Sequence, residues 1–145
     1  MITATRFHDF SAGHRVHEHE SKCRNLHGHN YRVHFTVQAE KLDTVGRVMD
    51  FSAIKSKLCQ WVEDNWDHRF LIWDADPKAK ALTQVDATVV IVPFNPTAEN
   101  MADFLLRRVG PVALAGTGVT LVAVNIEETR KCSAVSQLDT QVPIR

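Results

Sequence analysis

Between residues 31 and 40 apolar and polar side chains alternate one for one. Tyr31, Val33, Phe35, Val37 and Ala39 are set against Arg32, His34, Thr36, Gln38 and Glu40. Successive side chains along a strand point to opposite faces, so this pattern predicts a strand with one buried face. Residues 2–12 carry a looser version of the same alternation and predict a second strand. The stretch 13–30 between them is too polar for a core element and reads as a long loop, a feature that compact domains usually keep for function. Beyond residue 51 the spacing lengthens. Phe51, Ile54, Leu58, Trp61, Val62 and Trp66 recur at three and four residues, predicting a helix over 52–66 capped by Asp50 or Ser52. Residues 89–92 predict a short β-branched strand ended by Pro93. A second helix opens at Pro96-Thr97, turns Met101, Phe104 and Leu105 inward, and is expected to stop near Arg108 because Gly110-Pro111 follows. Residues 119–127 read as a buried strand, and a short last strand follows the turn Thr129-Arg130-Lys131.

Strands grouped at both ends of a helical middle predict an α+β fold built on an antiparallel sheet. Four or five strands leave open edges, which oligomerisation closes most simply. No repeat or linker interrupts the chain, so a single domain over 1–145 is expected.

Bulk composition narrows the function classes. Hydrophobic residues make up 44% and charged residues 23%, a balance that excludes a disordered chain. The 17 basic and 17 acidic side chains cancel, leaving no electrostatic footprint for a nucleic acid. No apolar run approaches the ~18 residues of a membrane span. The first residues show no basic-then-apolar export signal, and the three cysteines cannot all pair within one chain. A reduced, cytoplasmic protein is expected.

The histidines change the picture. There are eight, and His14, His17, His19, His27 and His29 fall within sixteen positions. Alternation puts His27 and His29 on one face with only Gly28 between them, and an antiparallel partner strand brings His14 alongside. Three neutral imidazoles with an open fourth position are the ligand set of catalytic zinc. A single histidine on a polar loop is usually a surface residue; three converging ones point to metal. His17 and His19 share the same spacing and are rival ligands. His8 and His34 lie in strands and read as packing or surface residues. Cys23 precedes His27 by four positions between Lys22 and Arg24, where cations favour a thiolate; its alternative role is a fourth ligand in a closed structural site. Cys59 falls on the apolar helix face and reads as core, while Cys132 has no assigned part. Asp67-His68 sets a carboxylate beside an acid–base group, although a histidine at a helix end also complements the dipole. Thr97 and Glu99 stand where a cap and an acidic first turn are expected on stability grounds alone. In Glu127-Glu128 adjacent side chains face opposite ways, so one can look into a site while the other meets solvent.

Taken in order, Phe10-Ser11-Ala12-Gly13-His14, Cys23, His27-Gly28-His29, Gly46-Arg47-Val48-Met49-Asp50-Phe51, Asp67-His68, Pro96-Thr97-Ala98-Glu99-Asn100 and Glu128-Thr129 resemble the 6-pyruvoyl-tetrahydropterin synthase family. The three-residue gap between Cys23 and His27 is similar to the family's bacterial, carboxytetrahydropterin-forming branch of queuosine biosynthesis. The resemblance implies a tunnelling fold (T-fold), with two helices on one face of the sheet. It implies that subunits join their sheets into a barrel, typically a homohexamer of two trimers, with active sites at subunit boundaries. It implies zinc on His14, His27 and His29, and Cys23 as proton acceptor. Asp67 and His68 would complete the catalytic group from a neighbouring subunit, with Glu128 in the charge relay; Glu128 is preferred to Glu127 because the motif is Glu followed by Thr. Glu99 would anchor the pterin beside Thr97. The implied substrate is 7,8-dihydroneopterin triphosphate, losing triphosphate and acetaldehyde. The charged segment 73–87 is longer than the family pattern, a departure that could alter the rim of the site; its role is left open.

Overall fold

The structure, a computed structural model, describes residues 1–139. The chain runs through β1 (Thr3–His14), β2 (His27–Ala39), a helix α1 over 51–65, β3 (Arg69–Trp73), α2 (Ala79–Val85), β4 (Val90–Val92), a helix α3 over 98–113, β5 (Val119–Glu127) and β6 (Ser133–Gln137). Six strands form one sheet in the order β4-β3-β1-β2-β5-β6. The α+β prediction and the T-fold hold. β1, β2, β5 and β6 are antiparallel, as the grouping of strands at both ends of the chain predicts, whereas β3 and β4 add to the edge of β1 in parallel.

The polar stretch 13–30 is less loop than its composition suggests. β1 continues to His14 and β2 starts at His27, with these two residues directly paired, so the loop is confined to 15–26 and includes one 3-10 turn, Lys22–Arg24. Polar strand ends escape a hydropathy reading because their inward side chains meet each other rather than an apolar core.

β3 is likewise absent from the sequence reading. Leu71 and Ile72 are both buried, so no alternation marks it. Only Asp67 and His68 fall between Trp66 and this strand, and the reversal puts His68 in the left-handed region at φ 58°. Within 73–87 the structure adds α2. The second helix passes the expected stop. A π turn over Leu105–Val109 precedes Gly110–Ala113, so Pro111 opens a new helical segment where its missing N–H costs little. Gly110 is needed there because a Cβ would lie 2.6 Å from Leu121 Cδ2. The first helix also contains a π turn, Lys55–Cys59.

Both long helices cover the same face of the sheet. Ile54, Leu58 and Val62 of α1 and Met101, Leu105 and Leu106 of α3 meet Phe10, Tyr31, Val33, Phe35, Val124 and Ile126. Full burial of such side chains is worth about 1.5–3 kcal/mol each, which anchors the strands that carry the histidines. Cys59 lies in this core, as its helical position predicts. On the other face Phe7 and Val135 are exposed, and no element among the described residues covers them. No helix among these residues is long and apolar enough to cross a membrane.

Candidate metal centre and active site

The inward face of β1 and β2 ends in histidine. On this face Tyr31 is followed toward the sheet's end by His29 and His27, and pairing brings His14 beside them. Gly28 permits the close approach: a Cβ there would lie 3.1 Å from the Ala12 carbonyl oxygen. One ligating atom from each of His14, His27 and His29 lies within 4.8 Å of the others.

Their hydrogen bonds set the ring orientations. His14 Nδ1 is 2.6 Å from the Pro96 carbonyl oxygen, and His27 Nδ1 is 2.7 Å from that of Asn25. A carbonyl only accepts, so each Nδ1 carries the proton and each Nε2 turns a lone pair inward. The two Nε2 atoms are 3.0 Å apart, and His29 Nε2 is buried without a hydrogen-bond partner. Facing lone pairs and an orphaned nitrogen are unfavourable alone and are satisfied together by a cation. The donor set fits a metal ion. Burial, reinforced by the neighbouring imidazoles and opposed by the Pro96 carbonyl, lowers the His14 pKa from 6.5 to about 4, which keeps it a neutral ligand. Burial also lowers His29, against the pull of Glu128.

Glu128 stands at this cluster, its Oε1 3.6 Å from His14 Nε2 and 3.7 Å from His29 Nε2. Glu127 is turned to the other face, where its Oε2 is 2.6 Å from His34 Nε2. The turn after β5 fixes the division, since the Glu128 and Thr129 amides both donate to the Cys132 carbonyl. The rival histidines lie elsewhere. The His17 backbone exchanges hydrogen bonds with the Asn95 side chain and its ring lies near Trp73, while His19 Nδ1 accepts from the Ser21 amide. His8 pairs with Glu63 on α1.

Cys23 sits half-buried in the 3-10 turn, and its carbonyl accepts from the Val16 amide at 2.8 Å. Thr97 caps α3 by accepting from the Asn100 amide, and Glu99 is exposed in the first turn. The link from this helix start to the cluster is the Pro96 carbonyl on His14. Sequence reasoning missed that contact, and also the Tyr31 hydroxyl 3.3 Å from His14 Nδ1. The Pro96 signal was present, because a residue adjoining a helix start has a carbonyl free to accept.

Asp67 and His68 are not part of the cluster within one chain. Asp67 Oδ1 accepts from the Ser11 amide, and Oδ2 is 2.7 Å from His68 Nδ1. Burial raises the Asp67 pKa, but the Ser11 amide and His68 outweigh it and hold the carboxyl below its ordinary range. The His68 amide donates to the Ser11 carbonyl at 2.6 Å, which sustains the left-handed backbone. His68 is 81% exposed and opens on a groove lined by Ser11, Gly13, Gly28, Asn30 and Phe70. Ser11, Gly13, Gly28 and Asn30 alternate with Ala12, His14, His27 and His29. The strand positions around His68 therefore belong to the sheet face opposite the three histidines, although Ala12 and His29 also border the groove.

Fold and site together define a T-fold protein with a three-histidine metal-type cluster. A family model described as 6-pyruvoyl tetrahydropterin synthase matches residues 3–138. A Rickettsia conorii relative named 6-carboxy-5,6,7,8-tetrahydropterin synthase is 33% identical, over 91% of this chain and 97% of its own length. A Halobacterium salinarum relative, named as a probable enzyme of the same kind, is 38% identical over 86% of this chain and 79% of its own. Among solved structures, Caenorhabditis elegans 6-pyruvoyl tetrahydropterin synthase is 27% identical, with a TM-score of 0.68 over 95% of this chain and 96% of that one. An uncharacterized Wolinella succinogenes protein shares the fold with a TM-score of 0.82 at 23% identity, over 95% of this chain and 98% of its own. The chain belongs to the 6-pyruvoyl tetrahydropterin synthase family and is an enzyme of the pterin-synthase class.

Proposed function

We propose that this enzyme converts 7,8-dihydroneopterin triphosphate and water to 6-carboxy-5,6,7,8-tetrahydropterin, releasing acetaldehyde and triphosphate, with zinc at its centre. The observation that carries the metal dependence is the convergence of the His14, His27 and His29 side chains, two of them fixed by backbone carbonyls to aim Nε2 inward. Zinc held there supplies Lewis acidity to the oxygens of the substrate side chain. Among the described residues the converging set is the three histidines, a donor set that suits a catalytic zinc.

The protein groups then divide the proton work. Cys23 removes a carbon-bound proton from the substrate side chain. His68, oriented through Nδ1 by Asp67, returns and relays protons at its free Nε2. Glu128, beside the cluster, belongs to the relay. Glu99 accepts hydrogen bonds from the pterin amino and ring N–H groups, with Thr97 holding its helix turn. Because His68 opens on the face opposite its own chain's histidines, it serves the site of another copy. The exposed Phe7 and Val135 on that face support a barrel-forming oligomer, a homohexamer of two trimers. The whole chain acts as one domain in the cytoplasm, in the pathway to queuosine.

Product analysis with 7,8-dihydroneopterin triphosphate tests the reaction. Acetaldehyde appears in step with triphosphate. Triphosphate without acetaldehyde makes the enzyme a pyruvoyl-forming synthase, and neither product from metal-replete protein refutes the substrate.

A further inference from the structure

The segment 73–87 holds a buried carboxylate. Asp76 and His14 are the buried polar side chains among the described residues, and the Asp76 side chain has no solvent exposure. Asp76 Oδ1 accepts from the Lys78 amide at 2.9 Å and from the Arg15 guanidinium, while Oδ2 has no partner. A buried carboxylate is tolerated only with a cation against it, so Arg15 is held in one place.

Arg15 uses its fork in two directions. While one terminal nitrogen meets Asp76, Nε donates to the Arg24 carbonyl at 2.8 Å. The adjacent Val16 amide donates to the Cys23 carbonyl, also at 2.8 Å. The 3-10 turn that carries Cys23 therefore hangs from two consecutive residues, and those residues directly follow His14. Arg15 thus ties three parts of the chain: the histidine-bearing strand, the thiol turn, and the segment before α2. His17 and Asn95 fasten the same loop to the residue preceding Pro96. Both partners are turned away from solvent, the Arg15 side chain at 11% exposure and that of Asp76 at 0%.

We propose that Asp76, acting through Arg15, is a positioning residue for Cys23, fixing the thiol relative to the histidine cluster. This rests on the reading of Cys23 as proton acceptor. Lysine cannot replace Arg15, because a point ammonium lacks the second, divergent donor that reaches Arg24.

The test is Asp76→Asn, which preserves volume and the bond from the Lys78 amide but removes the charge that holds Arg15. With metal content equal to wild type, kcat falls at least tenfold while KM stays within twofold. Iodoacetamide alkylation of Cys23, followed by peptide mass mapping to separate it from exposed Cys132, changes rate threefold or more. Arg15→Lys, used if Asp76→Asn does not fold, gives the same alkylation result. A folded variant with wild-type kcat and alkylation rate, even one of lowered melting temperature, overturns the proposal. Failure of both variants to fold makes the pair purely structural and overturns it too. Alkylation needs no turnover, so a wild-type protein without synthase activity refutes the reaction and leaves the positioning result readable.

Discussion

His14 and His27 face each other across the β1–β2 pair with their Nε2 atoms 3.0 Å apart, each giving its Nδ1 proton to a backbone carbonyl. That arrangement commits both rings to one tautomer before any ligand arrives. A third ring, His29, adds a buried nitrogen that makes no hydrogen bond.

His29→Ala is expected to weaken zinc binding by about 100-fold or more, since altering groups that merely orient a ligand costs 10–100-fold. Metal analysis of the purified variant after dialysis checks this. Wild-type stoichiometry would require a substitute ligand, for which Glu128, with Oε1 3.6 Å from His14 Nε2, is the nearest carboxylate.

Cys23→Ala is expected to keep zinc and pterin binding and to lose about 10²–10⁴ in kcat, the span of a removed acid–base group. Metal content, equilibrium binding of a pterin and turnover are the three readings. A metal-free variant would make Cys23 a ligand.

The metal-free protein should lose stability in acid through His14. Its pKa is about 4 in the fold against 6.5 unfolded, so between these values the unfolded chain binds the extra proton. Stability is complete above pH 6.5 and falls as pH drops toward 4, by about 3 kcal/mol for this group. Urea midpoints of chelator-treated protein at pH 7 and 4.5 give the slope. His14→Gln should flatten it, and an equal slope in both proteins would assign the acid loss to other groups.

Much of this site was legible in the order of residues, and the reasons differ by element. The alternation from Tyr31 to Ala39 revealed β2 because one face is wet and the other dry. The histidine cluster was legible because three histidines on polar strand ends have no packing role to explain them. β3 was not, since Leu71 and Ile72 are buried on both faces and give no period. Asp76 was invisible for a different reason. Its burial depends on Arg15, 61 residues away in sequence, and nothing local distinguishes it from the charged residues around it. Likewise the helix past Gly110-Pro111 depends on a π turn that sequence spacing does not announce.

Glu99→Gln should weaken pterin binding by about ten- to a hundredfold, because a neutral amide replaces a charge-assisted acceptor. Calorimetric titration with a non-reacting pterin measures it. Unchanged affinity, with a loss instead in Glu128→Gln, would transfer the anchor to the carboxylate 3.6 Å from His14.

The position of His68 makes the strongest demand on assembly. Its backbone is locked to Ser11, and its ring opens on the sheet face opposite the histidine cluster. On the proposed assembly, a working site would combine Cys23 of one chain with His68 of another. Cys23→Ala and His68→Ala should each be inactive alone yet recover activity when the two chains are co-expressed. In a randomly mixed ring, a site draws an intact thiol with probability one half and an intact imidazole with the same probability. About a quarter of the sites should then be whole. Titrating the ratio of the two chains should give a maximum at equal amounts. If both groups came from the same chain, no mixture would exceed the activity of its parts.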